Sequence, residues 1–315
     1  MRDVDRTAAP LEAGSAHRTP TFVQDRRSAT VHPPPMSEND VEHSQRIHVV
    51  RDGPRQSPPL LLIHGSGASG ASWSPVVPAL AGHHHVIRVD LPGCGQSPPS
   101  PPYDVPAQAS RVAAVLDDLG RGPVTVVGHS SGGYVATALA EQRPDLVRSV
   151  ALISCGPHPG ALLSQPLILR ILLGPPFGPL IWPKRSDAVI RKGIGATAAR
   201  PVDVPDDVVA DLKHISYDTF RTILRRNTEY IAERGVPDRL AALTVPVLAV
   251  FGSADPRWDP SSVRRYELVP DARIELLSGV GHLPMFEAPE ALSELLLSWT
   301  SRERTVDTPP LVPDP

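Results

Sequence analysis

A serine hydroxyl becomes a strong nucleophile only when a neighbouring base takes its proton and an acid orients that base. One octapeptide, Val127-Gly128-His129-Ser130-Ser131-Gly132-Gly133-Tyr134, places a serine where this can happen. Ser130 sits between two glycines, each two residues away. The β-branched run Pro123–Val127 precedes the octapeptide, and a helix-like run, Tyr134–Glu141, follows it. Strand, tight turn, serine and helix form the context of a nucleophile elbow. There the missing side chains at Gly128 and Gly132 let strand and helix backbones pass closely. The helix also points its positive end at the serine.

Such a serine needs its partners at later strand ends, in the order serine, acid, histidine. Two motifs supply them. Phe251-Gly252-Ser253-Ala254-Asp255-Pro256 puts an aspartate just past an apolar run, and Gly279-Val280-Gly281-His282-Leu283-Pro284 puts a histidine past the next one. Asp259 is a rival acid, and spacing alone does not separate it from Asp255.

The elements that must position these groups alternate along the chain. Strand-like runs occur at 46–50, 60–63, 86–89, 124–127, 149–153, 245–251 and 274–277. Helical spacing covers Val105–Leu119, which Gly120 stops, and a last helix is expected from about Pro289 to Ser301. Uninterrupted apolar strands are the mark of a mostly parallel sheet covered by helices on both faces. The fold class is therefore α/β, with a mostly parallel central sheet and flanking helices. From Gly156 to Leu240 no central strand is evident, and helical stretches such as Ala161–Leu173 and Asp206–Glu233 predominate. The expected organisation is a disordered segment at 1–43, an α/β core formed by 44–155 and 241–303, a helical cap at 156–240, and a disordered tail at 304–315. Met36 near the end of the first segment is a candidate native start.

Five motifs in this order resemble the α/β-hydrolase superfamily, in its capped, esterase-like branch, over residues 45 to 303. They are His64-Gly65-Ser66-Gly67 with Trp73, Asp90–Ser97, the Ser130 elbow, Gly252–Asp255 and Gly281–Glu287. The resemblance implies that Ser130 attacks an acyl carbon, His282 relays the proton and Asp255 orients the imidazole. It implies backbone oxyanion donors at Ser131 and Ser66, with Gly67 in reserve for the latter. His64 could be weighed as a catalytic base but is read as bracing the turn it precedes, and Asp90 is read as a loop-bracing acceptor. Relatives that carry an aspartate at the elbow, such as haloalkane dehalogenases and epoxide hydrolases, are excluded by Ser130. The expected activity is serine hydrolysis of an ester, thioester or lactone. The alternatives are a carbon–carbon bond hydrolase, a cofactor-free haloperoxidase-like enzyme, and a ligand receptor or pseudoenzyme.

Apolar residues of the cap and the histidine loop are pocket candidates: Trp182, Phe177, Leu283 and Met285, with Leu162, Leu163, Ile181 and Trp258 behind them. Arg191, Arg221, Arg225 and Arg226 are expected to be solvated rather than to clamp a carboxylate. His129 is read as a packing residue, His83-His84-His85 as solvated loop, and Cys94 as having no catalytic part.

The bulk numbers remove other classes of function. A net charge of −3 without a basic arm argues against nucleic-acid binding, and no apolar run is long enough to span a bilayer. Two cysteines make no disulfide framework and no metal spacing, which points to the cytoplasm. No cofactor or metal is expected, and the expected partner is a small-molecule acyl substrate. The 38 prolines in 315 residues concentrate in the tails and in 157–205, marking those parts as loop-rich.

Overall fold

The computed structural model describes residues 47–120, 122–164 and 174–306. Seven strands form one sheet: β1 (Val49–Asp52), β2 (Pro59–Ile63), β3 (His85–Val89), β4 (Val124–His129), β5 (Val147–Ile153), β6 (Val247–Gly252) and β7 (Arg273–Leu277). Their spatial order is β1-β3-β2-β4-β5-β6-β7. Only β1 runs antiparallel, against β3; the other pairs are parallel. The mostly parallel α/β sheet expected from the apolar runs is thus the observed architecture.

The alternation of side chains along each strand splits the core in two. Leu61, Ile63, Val126, Leu152 and Phe251 point to one face, where they meet α1 (Val105–Leu119) and α2 (Gly132–Gln142) through Val112, Leu116, Val135 and Leu139. Leu60, Leu62, Val127, Ala151 and Val250 point to the other face. There they pack on Trp73, Leu80 and the last helix among the described residues, α6 (Pro289–Val306), through Leu292, Leu296 and Trp299 (α3 to α5 belong to the insertion between β5 and β6). The central strands are buried on both faces, so they read as continuous apolar runs.

Between β5 and β6 the chain is helical. A short helix, Phe177–Ile181, is followed by α3 (Asp187–Gly195), α4 (Asp206–His214), α5 (Tyr217–Glu233) and a second short helix, Val236–Leu240. Two small apolar clusters hold this insertion. One joins Trp182, Ile215 and Ile223 to Cys94 and Tyr103 of the sheet-end loops. The other gathers Ile190, Val204, Val208 and Val209. α5 continues into the main core through Tyr230 and Ile231, so it ties insertion to sheet.

Several boundaries differ from expectation. The first strand is Val49–Asp52 rather than 46–50, because its pairing with β3 begins at Val49 opposite Val89. The helix expected from Ala161 does not start there. Ala161 ends a single turn, and Leu162 bridges to Trp258 in extended form; the remainder of that stretch, 165–173, lies outside the described residues. The stretch from Asp206 to Glu233 is two helices, because Ile215 is extended and Ser216 caps a new start by accepting from the Thr219 amide. α6 continues through Val306, so residues 304–306 are helical; Ser301-Arg302-Glu303-Arg304 contains no helix breaker. The segment 1–43 and the tail beyond Val306 lie outside the described residues. His84 and His85 are buried rather than solvated. The His84 ring spans from the Pro58 carbonyl to the Thr300 hydroxyl, linking the start of β2 to α6.

Candidate active site

Ser130 follows the last residue of β4 at φ 51°, a left-handed conformation that costs a non-glycine residue about 1–3 kcal/mol. The turn is held by its surroundings. The Ser130 amide donates to the Ile153 carbonyl at 2.8 Å, extending the β4–β5 pairing one residue past the strand. A Cβ on Gly128 would lie 2.5 Å from the Gly132 carbonyl oxygen, and one on Gly132 would lie 2.4 Å from the Ile63 carbonyl oxygen. Both neighbours are backbone and cannot swing away, so these two positions require glycine.

The loops after β6 and β7 bring Asp255 and His282 to the same place. His282 Nδ1 lies 2.8 Å from Asp255 Oδ2, and His282 Nε2 lies 3.1 Å from Ser130 Oγ. A carboxylate only accepts, so Nδ1 carries the proton and Nε2 is left to accept from the serine hydroxyl. Asp255 is itself fixed: its Oδ1 accepts from the amides of Arg257 (2.7 Å) and Trp258 (3.1 Å). All three residues are buried.

Asp259 is used elsewhere. It accepts from the amide and hydroxyl of Ser261, capping the 3-10 helix Pro260–Leu268. Asp259→Ala is therefore expected to cost about 1 kcal/mol of stability, the usual worth of such a cap. Its kcat/KM on a p-nitrophenyl ester is expected within twofold of wild type. A hundredfold loss would return Asp259 to candidacy as the acid.

Ser66 lies in the turn after β2, and Ser131 is the residue just before α2. Neither amide meets an acceptor among the described residues. His64 sets this turn. Its Nε2 accepts from the Leu91 amide at 2.9 Å, so its Nδ1 holds the proton and donates to the Gly65 carbonyl at 2.8 Å. Burial pushes the His64 pKa down, which keeps the ring neutral in this role. Asp90 braces the neighbouring loop by accepting from the amides of Gly70 and Gln96.

Three supporting groups were not singled out by motif reading. Glu287 lies in the single turn Pro284–Glu287, and its carboxylate accepts from the amides of Gly281, Leu283 and Ala199. It thus grips both sides of His282 and a loop of the insertion. Thr197 accepts from the His282 amide at 3.0 Å. Asn227, on α5, donates to Ser66 Oγ at 3.0 Å. Glu287 ends the seven-residue motif around His282, and that proximity is its only signal in the sequence. Thr197 and Asn227 carry none, because their partners lie 85 and 161 positions away.

His129 does more than pack. Its Nε2–H donates to the His282 carbonyl at 2.9 Å, with the two rings 5.1 Å apart. Burial, reinforced by the field of His282, pushes its pKa down to about 3. The folded value lies below the unfolded one, near 6.5. Between these values the unfolded chain binds the extra proton, so stability falls as pH falls, by about 1.4 kcal/mol per unit. A glutamine amide keeps a donor without the titration. Between pH 7 and pH 5, His129→Gln is expected to lose about 2 kcal/mol less than wild type in urea unfolding. Equal losses would show that His129 titrates normally.

The pocket candidates are placed differently from one another. Trp182 sits inside the insertion, between the Arg185 guanidinium at 3.4 Å and the Phe220 ring at 4.7 Å, with its indole N–H on the Ile215 carbonyl. Met285 is fully buried, and it and Leu283 belong to the core on the α6 face of the sheet. Phe177, Ile181, Leu162 and Leu163 are exposed, whereas Trp258 is buried. Arg191 binds the Val204 carbonyl and Asp206, and Arg225 and Arg226 pair with Glu229. Cys94 is buried, and burial holds its thiol at about 12, far from a thiolate nucleophile. Among the described residues, no cluster of His, Cys, Asp or Glu is arranged to hold a metal ion, and no helix is long and apolar enough to cross a membrane.

The sequence pattern of the Alpha/beta hydrolase family matches residues 60–295, from β2 to α6. The chain belongs to this family. Within it, the chain is 30% identical over 252 residues to the pimeloyl-[acyl-carrier protein] methyl ester esterase of Aeromonas hydrophila, covering 76% of this chain and 94% of that one. Its fold is shared by carboxylesterase CesB from Bacillus subtilis, with a TM-score of 0.63, 23% identity, and coverage of 81% of this chain and 87% of that one. It is shared too by the N-acyl homoserine lactonase AidH, with a TM-score of 0.70, 20% identity, and coverage of 84% and 95%. This member of the α/β-hydrolases is accordingly a hydrolase of the esterase-like kind.

Proposed function

We propose that the protein hydrolyses carboxylic esters, or related thioesters and lactones, through an acyl-enzyme on Ser130. The observation that carries this reading is the hydrogen-bonded chain from Asp255 through His282 to Ser130, at 2.8 and 3.1 Å. Ser130 Oγ attacks the carbonyl carbon as His282 Nε2 takes its proton. The carbonyl oxygen gains negative charge and is met by the amides of Ser66 and Ser131. His282 then protonates the departing alcohol, leaving Ser130 acylated. Water, deprotonated by the same nitrogen, attacks the acyl-enzyme and releases the acid and free Ser130. Asp255 holds the imidazole in the working tautomer and stabilises its charged form.

In this reading the insertion at 156–240 is a cap that selects the substrate. Its support is the contact of Thr197 and Ala199 with the histidine loop. The methyl ester named for the Aeromonas hydrophila relative supports an ester as the substrate class. Two buried thiols that form no disulfide support a cytoplasmic location. The test is labelling by a fluorophosphonate probe followed by peptide mapping. Modification of Ser130 is expected, and modification of any other residue would overturn the assignment.

A further inference from the structure

Resting on that reading, we propose that the side-chain hydroxyls of Ser66 and Ser131, set in direction by Asn227, supply a third hydrogen bond to the oxygen of the scissile carbonyl. The residues that offer the two oxyanion amides also join their side chains: Ser66 Oγ lies 2.8 Å from Ser131 Oγ. Ser131 does not spend its hydroxyl on capping α2. Asn227 reaches across from α5, 94% buried, and donates an amide hydrogen to Ser66 Oγ at 3.0 Å.

Counting hydrogens decides what this chain can do. Each serine hydroxyl brings one hydrogen and accepts through its lone pairs. Asn227 fills one acceptor site on Ser66, and one hydroxyl hydrogen lies between the two serines. The second hydroxyl hydrogen has no acceptor among the described residues. It belongs to a residue whose amide is proposed to face the developing oxyanion, in a partly buried setting that strengthens such a donor. Asn227 is a positioning residue here. As a donor it prevents the Ser66 hydroxyl from turning towards α5, and the spare hydrogen is directed at the substrate.

The arrangement separates two substitutions of similar size. Asn227→Asp puts an acceptor on α5. Ser66 then donates to the carboxylate, Ser131 donates to Ser66, no hydrogen is spare, and a negative charge stands near the oxyanion. Asn227→Ala leaves the spare hydrogen but no longer directs it. Expected losses in kcat are about 100-fold for Asn227→Asp and about 10-fold for Asn227→Ala, with KM within about threefold. Ser66→Ala, which keeps the backbone amide, is expected to lose about 10-fold in kcat. Inhibition by a trifluoromethyl ketone should weaken by the same factors, because its hemiketal oxygen mimics the oxyanion. A structural role would give equal losses for the two Asn227 variants, with trifluoromethyl ketone affinity unchanged, and would overturn the proposal. Wild-type kcat in Asn227→Asp and Ser66→Ala, with Ser130→Ala inactive, would overturn the third hydrogen bond alone. An active Ser130→Ala would overturn the acyl-enzyme reading beneath it.

Discussion

Ser130→Ala is expected to lower kcat on a p-nitrophenyl ester by about 10⁵-fold while KM changes by less than about threefold. The substitution removes one oxygen from a site that otherwise stays assembled. The elbow is held by the Ser130 amide on Ile153 and by the close passage of Gly128 and Gly132, none of which involves the hydroxyl. Alanine accepts the φ of 51° no worse than serine. Binding and the Ser66 and Ser131 amides proposed as oxyanion donors survive, so a residual rate above that in water is expected; in serine proteases it is about 10³- to 10⁴-fold. Stability should not fall, which a thermal unfolding scan would check. A variant retaining a tenth of wild-type activity would show that another nucleophile does the chemistry.

Asp255→Asn carries the second largest effect, about 10⁴-fold in kcat. One oxygen of Asp255 accepts from the amides of Arg257 and Trp258, and the other from His282. An asparagine has only one oxygen. The two amides hold it, since leaving the buried Trp258 amide unpaired would cost about 1–3 kcal/mol and the part-buried Arg257 amide would add to that. The asparagine NH₂ is then turned towards His282 Nδ1, which must become an acceptor. The ring's proton moves to Nε2, the atom that has to accept from Ser130. The variant should therefore fold normally, bind substrate, and fail at proton transfer. Imidazole ¹⁵N shifts would report the exchanged tautomer. Near-normal kcat with an unchanged tautomer would refute the role of Asp255.

The parts of the fold that repeat in sequence were readable there. The central strands are buried on both faces, so they stand out as short apolar runs between turn residues. α1 begins after Asp104 and stops at Gly120 in the left-handed region, both local signals. The insertion was harder. Ser216 restarts a helix inside a continuous helical pattern, and Leu162 pairs with Trp258 across 96 positions, which no local period encodes. His129 shows the same limit within the site. Its neighbours in sequence suggest packing, but its hydrogen bond goes to His282, 153 positions later.

By itself, the sequence singled out Ser130 as the candidate nucleophile, with the chemistry open to such a serine. The two glycines, the serine and the flanking strand and helix signals are all local, and steric exclusion of a Cβ acts over a few residues. It also supplied candidates for the acid and the base as strand-end residues, without deciding between Asp255 and Asp259. Only the tertiary structure sets the two apart, with Asp259 capping a 3-10 helix and Asp255 turned towards His282. It alone placed Glu287, Thr197, His129 and Asn227 around the candidate site. The physical reason is one of range. Backbone conformation is set by near neighbours, whereas a hydrogen bond forms between whichever donor and acceptor the packed sheet and helices bring within about 3 Å.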